Sequence, residues 1–250
     1  MGHGFLGSLR LSLGFLTVLP VGRAGDDDAA AWRWATAWFP LVGLVVGALL
    51  YAGMVLPLPP LARAALVLAL WIGATGGLHE DGWMDCLDAA FAPVTRDRRL
   101  EILKDPHMGA HGVTGGIVLL LLRFGALTTV PAAAVLVAPV VGRWAMVLSL
   151  ALATPARSDG LGVRFAAEPQ PLVATVLAGA VLAGLTLVTS PTRVLSAWTL
   201  GALTGWAWGW FLARRFGGLT GDGHGAVGLV AELAALWAFV PLSGGAPWHH

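Results

Sequence analysis

The chain has 250 residues, of which 57% are hydrophobic and only 12% charged, and its formal net charge is +1. Soluble domains average about 45–50% apolar and about 25% charged residues, so a mean hydropathy of +0.76 leaves too few charges to wet a soluble surface of this size. These figures exclude an ordinary soluble enzyme, a disordered chain and a collagen-like fibre, and the sparse basic charge excludes a nucleic-acid binder, which needs a dense basic face.

In chain order, the apolar segment 4–20 carries Arg10 inside its hydrophobic run and is followed by Pro20 and Arg23. That pattern favours a membrane-embedded or interfacial helix over a cleaved signal peptide. Segments long enough to span a bilayer, about 20 mostly apolar residues, follow at 34–56, 62–78, 112–130, 132–153, 171–189, 193–213 and 226–243. The expectation is therefore an all-α fold, a polytopic transmembrane helical bundle forming one integral membrane domain over residues 1–250 and embedded in the lipid bilayer. Gly43/Gly47 and Gly201/Gly205/Gly209 are either close-approach faces between helices or the ordinary abundance of glycine in spans. Trp206, Trp208 and Trp210 cluster near one helix end, where amphipathic rings sit at the interface.

Threading these spans puts the connections 21–33, 79–111, 154–170 and 214–225 on one side, with ten basic residues from Arg23 to Arg215. The opposite connections are short and show Arg63 and Arg193. The positive-inside rule makes the long loops cytoplasmic and the protein a multi-pass component of the cytoplasmic (inner) membrane. Arg123 and Arg143 fall inside spans, where an ionised group needs a partner or a cavity, unless the span boundaries are shifted.

Seven of the fourteen acidic residues lie between positions 80 and 105. Asp81, Asp85 and Asp88 stand at i, i+4 and i+7, so on a helix they share one face. Carboxylates stacked this way repel unless something neutralises them, and Mg²⁺, a hard cation that takes carboxylate oxygens and bridges to phosphates, does so. Asp97, Glu101 and Asp105 repeat the spacing among Arg96, Arg98, Arg99 and Lys104, which is equally the pattern of a solvated helical face. Gly217 to Ala226 contains Thr220, Gly221, Asp222 and His224; glycine-rich backbone before a helix N-terminus suits an anion, and equally a plain turn. Glu232 falls in the last span as a buried polar contact or part of a cavity wall. For His79, His107, His111 and His224 a phosphate contact, a proton-transfer role and simple loop polarity stay open. Carboxylates dominate and no HExxH occurs, which argues against zinc, and no P-loop is present.

These residues resemble the cobalamin synthase family, the adenosylcobinamide-GDP ribazoletransferases. The matching blocks are Phe15-Leu-Thr-Val-Leu-Pro-Val21, Phe39-Pro-Leu-Val-Gly43, Thr75-Gly-Gly-Leu-His-x-Asp-Gly-x-x-Asp-x-x-Asp88, Arg96 to Asp105 leading into Gly109-Ala-His-Gly112, Gly142-Arg-Trp144, Pro155-Ala-Arg-x-x-Gly-Leu-Gly162 and Gly217-Gly-Leu-Thr-Gly-Asp-x-x-Gly-Ala226. Glu80 departs from the pattern, standing where the family usually has an apolar residue.

The resemblance implies the last step of nucleotide-loop assembly: the ribose 3′-hydroxyl of α-ribazole, or of its 5′-phosphate, attacks adenosylcobinamide-GDP, GMP leaves, and adenosylcobalamin or its 5′-phosphate forms. It implies Mg²⁺ as cofactor on Asp81, Asp85, Asp88 and Asp222. It further implies a catalytic set of Asp81, Asp85, Asp88, His79 and Lys104, and substrate contacts from Arg96, Asp105, Arg157, Thr220, Gly221 and His224. One carboxylate or His79 is the general base. A homo-oligomer is compatible with the sequence, which fixes no protomer number. The competing readings are a CDP-alcohol phosphotransferase, whose downstream acidic spacing is missing here, and a transporter, which would explain the intramembrane arginines but shows no inverted repeat.

Overall fold

The computed structural model describes residues 2–21 and 28–241, and the regular structure of those residues is helical. The helices are α1 (Gly2–Leu16), α2 (Ala29–Ala35), α3 (Phe39–Met54), α4 (Pro60–Thr75), α5 (Leu78–Phe91), α6 (Arg96–Ile102), α7 (Ala110–Leu127), α8 (Ala134–Leu152), α9 (Leu161–Ala167), α10 (Pro171–Leu185), α11 (Pro191–Phe216) and α12 (Gly221–Trp237). A 3-10 turn, Thr36–Trp38, joins α2 to α3. Proline at the first turn of α3, α4, α10 and α11 starts each without losing a hydrogen bond, because the first N–H groups of a helix have no partner in it.

Among the described residues three helical stretches are long and apolar enough to cross a membrane: Ala29–Met54, Ala110–Leu127 and Ala134–Leu152. Two bent pairs, α4 with α5 at 86° and α9 with α10 at 92°, raise the number to five if each counts as one span. The seven expected spans thus include shorter and broken elements. The segment 62–78 stops at a glycine pair, and 171–189 shortens to the 15-residue α10. Arg23 lies outside the described residues.

Helix α8 is the central post, buried along most of its length and packed on α3 and α12. Glycine sets the spacing. A Cβ on Gly47 would lie 2.7 Å from the Val135 carbonyl oxygen, and one on Gly142 would lie 2.8 Å from that of Gly228. Across α11 and α12, a Cβ on Gly201 would come 3.0 Å from Ala231 O and one on Gly205 3.3 Å from Ala231 Cβ. Both glycine stripes are therefore close-approach faces, the first against the α8 backbone and the second against small side chains and the Ala231 carbonyl.

Inside this bundle sits a chain of opposite charges. Arg123 on α7 donates from Nη1 to Glu80 on α5 at 2.5 Å and from Nη2 to Glu232 on α12 at 3.1 Å, and Arg143 on α8 donates to the same Glu232 oxygen at 2.7 Å. Both arginines and Glu232 are 1% exposed. The Arg123 guanidinium also lies 4.7 Å from the centre of the Trp71 ring. The two intramembrane arginines thus have partners. Removing one member of such a set leaves a buried charge uncompensated, a loss of about 3–5 kcal/mol, whereas replacing both members by apolar residues is far milder. Arg123→Leu is expected to lower the unfolding midpoint in detergent more than the Glu80→Leu/Arg123→Leu double variant; a double variant less stable than R123L would contradict the pairing.

Candidate functional site

Helix α4 ends on Gly76 and Gly77, at φ 64° and 71°, a left-handed region that side chains with a Cβ rarely adopt. Their N–H groups close the end of α4 by donating to Gly73 O and Ile72 O. The chain then turns through 86° and starts α5, which is not among the three spanning stretches. On α5 the carboxylates of Asp81, Asp85 and Asp88 fall on one side by helical spacing. Between them, Gly82 abuts the first turn of α12: a Cβ there would sit 3.0 Å from Asp222 Cα. That contact brings Asp222, from a distant part of the chain, into the field of the α5 acids. Burial and the charges of Asp81, Asp222 and Asp88 push the Asp85 carboxyl up to about 6. Burial also raises that of Asp222, against the opposing pull of the Arg157 guanidinium.

Three connections meet here. Ala156 N–H donates to Leu219 O at 2.8 Å and Leu219 N–H to Thr154 O at 2.9 Å, pairing the loop after α8 with the loop before α12. Arg157 donates to Leu100 O at 2.8 Å, which ties α6 to the same end, and its Nε is buried without a hydrogen-bond partner. Arg96 donates from Nε to Phe216 O at 2.6 Å, binding the negative C-terminal end of α11. Thr220 caps α12 by accepting from Gly223 N–H at 3.2 Å.

A cavity of about 280 Å³ opens at this junction. Six of the residues singled out in the sequence line it: His79, Arg157, Thr220, Gly221, Asp222 and His224. A second space of about 620 Å³, bordered by Asp81, Glu80 and Met84, lies on another side of α5. Burial lowers the His224 imidazole to about 4, so it is neutral.

The other sequence candidates are placed differently. Both Asp88 carboxylate oxygens accept backbone N–H groups, from Gly109 at 2.7 Å and Gly112 at 2.8 Å, so Asp88 caps the start of α7. Lys104 is exposed on the connection after α6. Asp105 is also exposed and accepts from His107 N–H at 3.0 Å and from its ring Nδ1 at 2.7 Å; these bonds hold its carboxyl below the usual range. Among the described residues no three His, Cys, Asp or Glu side chains are arranged to hold a metal ion by themselves. Phe15, Met146 and Ser149 belong to the site's surroundings and were not singled out in the sequence. Phe15 lies in a matching block that gave it no role, and Ser149 carries no motif at all.

A family model described as cobalamin-5-phosphate synthase matches residues 8–240. The chain is 38% identical to a Deinococcus radiodurans protein named adenosylcobinamide-GDP ribazoletransferase, over 94% of this chain and 87% of that one. A protein of the same name from Stutzerimonas stutzeri is 40% identical, with 91% and 95% covered, and one from Desulfitobacterium hafniense is 34% identical, with 94% and 96% covered. No solved structure matches.

Two outcomes follow from the geometry. Because the native Asp85 carboxyl binds its proton up to about pH 6 and the ordinary value is 3.8, the folded state holds more protons across that interval, and stability falls as pH rises through it. Without divalent metal, D85N should gain stability over wild type from pH 4 to pH 6 and hold a constant advantage above it, as read by thermal unfolding; a pH-independent difference would refute the convergence. Asp88→Ala should cost about 0.5–2 kcal/mol of stability through the lost α7 cap, and hydrogen exchange at residues 109–112 should localise the loss.

Proposed function

The chain belongs to the cobalamin-5-phosphate synthase family, and from that membership we propose that it transfers the phosphorylated cobinamide of adenosylcobinamide-GDP to α-ribazole, or to its 5′-phosphate, at the cytoplasmic face of the inner membrane. The observation that carries the reading is the contact of Gly82 with Asp222. It sets the α5 carboxylate face against the first turn of α12, whose Thr220, Gly221 and Asp222 line a cavity together with Arg157, a grouping that suits a pyrophosphate and its counter-ion.

Mg²⁺ fits this donor set in one particular way. It commonly takes one or two carboxylates and completes its octahedron with water and substrate phosphate oxygens, without an all-protein cage. Asp85 and Asp222, with Asp81 alongside, would hold such a cation together with the substrate's pyrophosphate; among the described residues no three such side chains would hold one by themselves. Once bound, it supplies charge neutralisation and Lewis-acid polarisation of the phosphoryl oxygens. Asp88, already engaged with Gly109 and Gly112, serves by fixing α5 against α7.

The chain's own residues do the rest. Arg157, with a buried Nε left over, binds a phosphate oxygen, and the Thr220–Gly221 turn offers backbone N–H groups at the start of α12. The acceptor's 3′-oxygen forms a bond to the cobinamide-side phosphorus as the bond from that phosphorus to the bridging oxygen breaks. GMP departs with the bridging oxygen, and the hydroxyl proton passes to an α5 carboxylate and then to water. For Lys104 and Asp105, on the exposed connection beyond α6, the reading leaves only outer contacts with the leaving nucleotide. Arg96 acts through the loop that it anchors. No observation favours the CDP-alcohol phosphotransferase, and the pairing of Arg123 and Arg143 with acids removes the feature that had suggested a transporter.

In proteoliposomes, GMP release from adenosylcobinamide-GDP and α-ribazole should require Mg²⁺ and fall by at least about 100-fold in D85N. Mg²⁺ with the donor should also raise the unfolding midpoint of wild type and not of D85N. Unchanged turnover in D85N overturns the assignment.

A further inference from the structure

The cavity beside the carboxylates joins two environments. Its outer rim is exposed and polar, with Asp159, Gly160 and Gly221. Its inner part is closed by buried residues, His79, Met146, His224 and Gly225, with Phe15 as one wall. Phe15 is held rigid by aromatic neighbours: its ring centre lies 4.6 Å from that of Phe165, which in turn lies 5.0 Å from Trp32 and 5.5 Å from Phe39. A cavity lined by an aromatic ring and a flexible thioether suits a flat apolar ring.

The polar groups of the inner part have a defined sense. Ser149 Oγ donates its only proton to Met146 O at 2.7 Å. In the 2.8 Å contact between Ser149 Oγ and His224 Nδ1, the imidazole must therefore be the donor. A ring that donates from Nδ1 has, in its uncharged form, a lone pair at Nε2, and His224 is 4% exposed. Such a group accepts from a hydroxyl and repels a phosphate oxygen. His79, 2% exposed, has an Nε2 with no hydrogen-bond partner in the protein.

We propose that this inner cavity is the subsite of the nucleoside acceptor: its flat base lies between Phe15 and Met146, a base ring nitrogen meets His79 Nε2, and a ribose hydroxyl donates to His224 Nε2, whose tautomer Ser149 sets. The inference deepens the functional reading above and rests on it. The cavity is far too small for a corrin ring, so the cobinamide lies outside it. Ser149 is thus a positioning residue that acts through His224.

The test uses the full-length protein in detergent, with α-ribazole as probe and calorimetric binding measured without donor or Mg²⁺. Two variants report on the subsite. Ser149→Ala releases the His224 tautomer, and Ser149→Thr keeps the hydroxyl. Gly225→Ala narrows the slot, and its new Cβ meets nothing nearer than His79 Cδ2 at 3.7 Å, an ordinary contact that the fold tolerates. S149A and G225A should each raise the dissociation constant and the KM for α-ribazole about 10-fold, while the KM for adenosylcobinamide-GDP stays within about twofold. S149T should restore binding. A shift confined to the donor KM, an unchanged α-ribazole constant, or guanosine competing as well as α-ribazole each overturns the subsite. Because binding is read without turnover, a wild type that binds α-ribazole but releases no GMP refutes the reaction and leaves the subsite standing.

Discussion

The buried set Glu80–Arg123–Glu232–Arg143 is the constraint on which the remainder of the molecule depends. Helix α5 carries too many acids to be held by apolar burial alone, and it begins from a glycine hinge that gives it no preferred register. Ion pairs in a low-dielectric interior are strong only at close range and in good geometry. One guanidinium bridging Glu80 and Glu232 therefore permits a single alignment of α5 against α12. Glu232 stands ten residues beyond Asp222 on one continuous helix, close to three turns. Fixing its end fixes where the first turn of α12 meets Gly82. The paired charges also sum to zero, so α5 gains its anchor without adding a net charge beside the acidic face that begins at the next residue, Asp81.

That face has the opposite electrostatic character. Asp81, Asp85 and Asp222 are brought together with Arg157 as an opposing charge beside Asp222, and Asp85 bears the cost as a raised carboxyl. The two clusters divide the work. The inner one pairs its opposite charges within the protein and sets position, while the outer one gathers like charges, the pattern that marks a candidate functional site. The loops that frame the outer cluster are held by backbone bonds and by Arg96 and Arg157, each of which spends part of its guanidinium on a carbonyl from another connection.

Helical class, the one-sided gathering of polar loops and the shared face of Asp81, Asp85 and Asp88 were legible in the sequence, because each rests on local spacing or on span counting. The tie between α5 and Asp222 was legible only as a resemblance, since 134 residues of chain separate Asp88 from Asp222 and nothing local encodes a contact over that distance. Arg123, Arg143 and Glu232 were recognisable as costly, yet their pairing depends on rotations of four separate helices. Asp88 illustrates the opposite error of emphasis. Its spacing groups it with Asp81 and Asp85, while its oxygens accept from the backbone at the start of α7, a use that becomes visible only once the Gly109–Gly112 turn is placed. Span number was hardest to read, because hydropathy does not register an 86° turn at Gly76–Gly77.

Glu80 sharpens the last point. In sequence it is a charge out of place beside a presumed metal face, and electrostatics on the linear chain would count it among the acids there. Successive helical residues are turned by about 100°, and three neighbours consequently enter three environments. His79 lines the smaller cavity, Glu80 reaches Arg123 from the edge of the larger space, and Asp81 borders that larger space. A single turn of helix thus carries a wall of the inner cavity, the structural anchor and a carboxylate of the acidic face. Any shift of α5 large enough to loosen the anchor also displaces the other two, so the buried ion pairs and the chemistry at the surface are coupled through consecutive residues of one backbone.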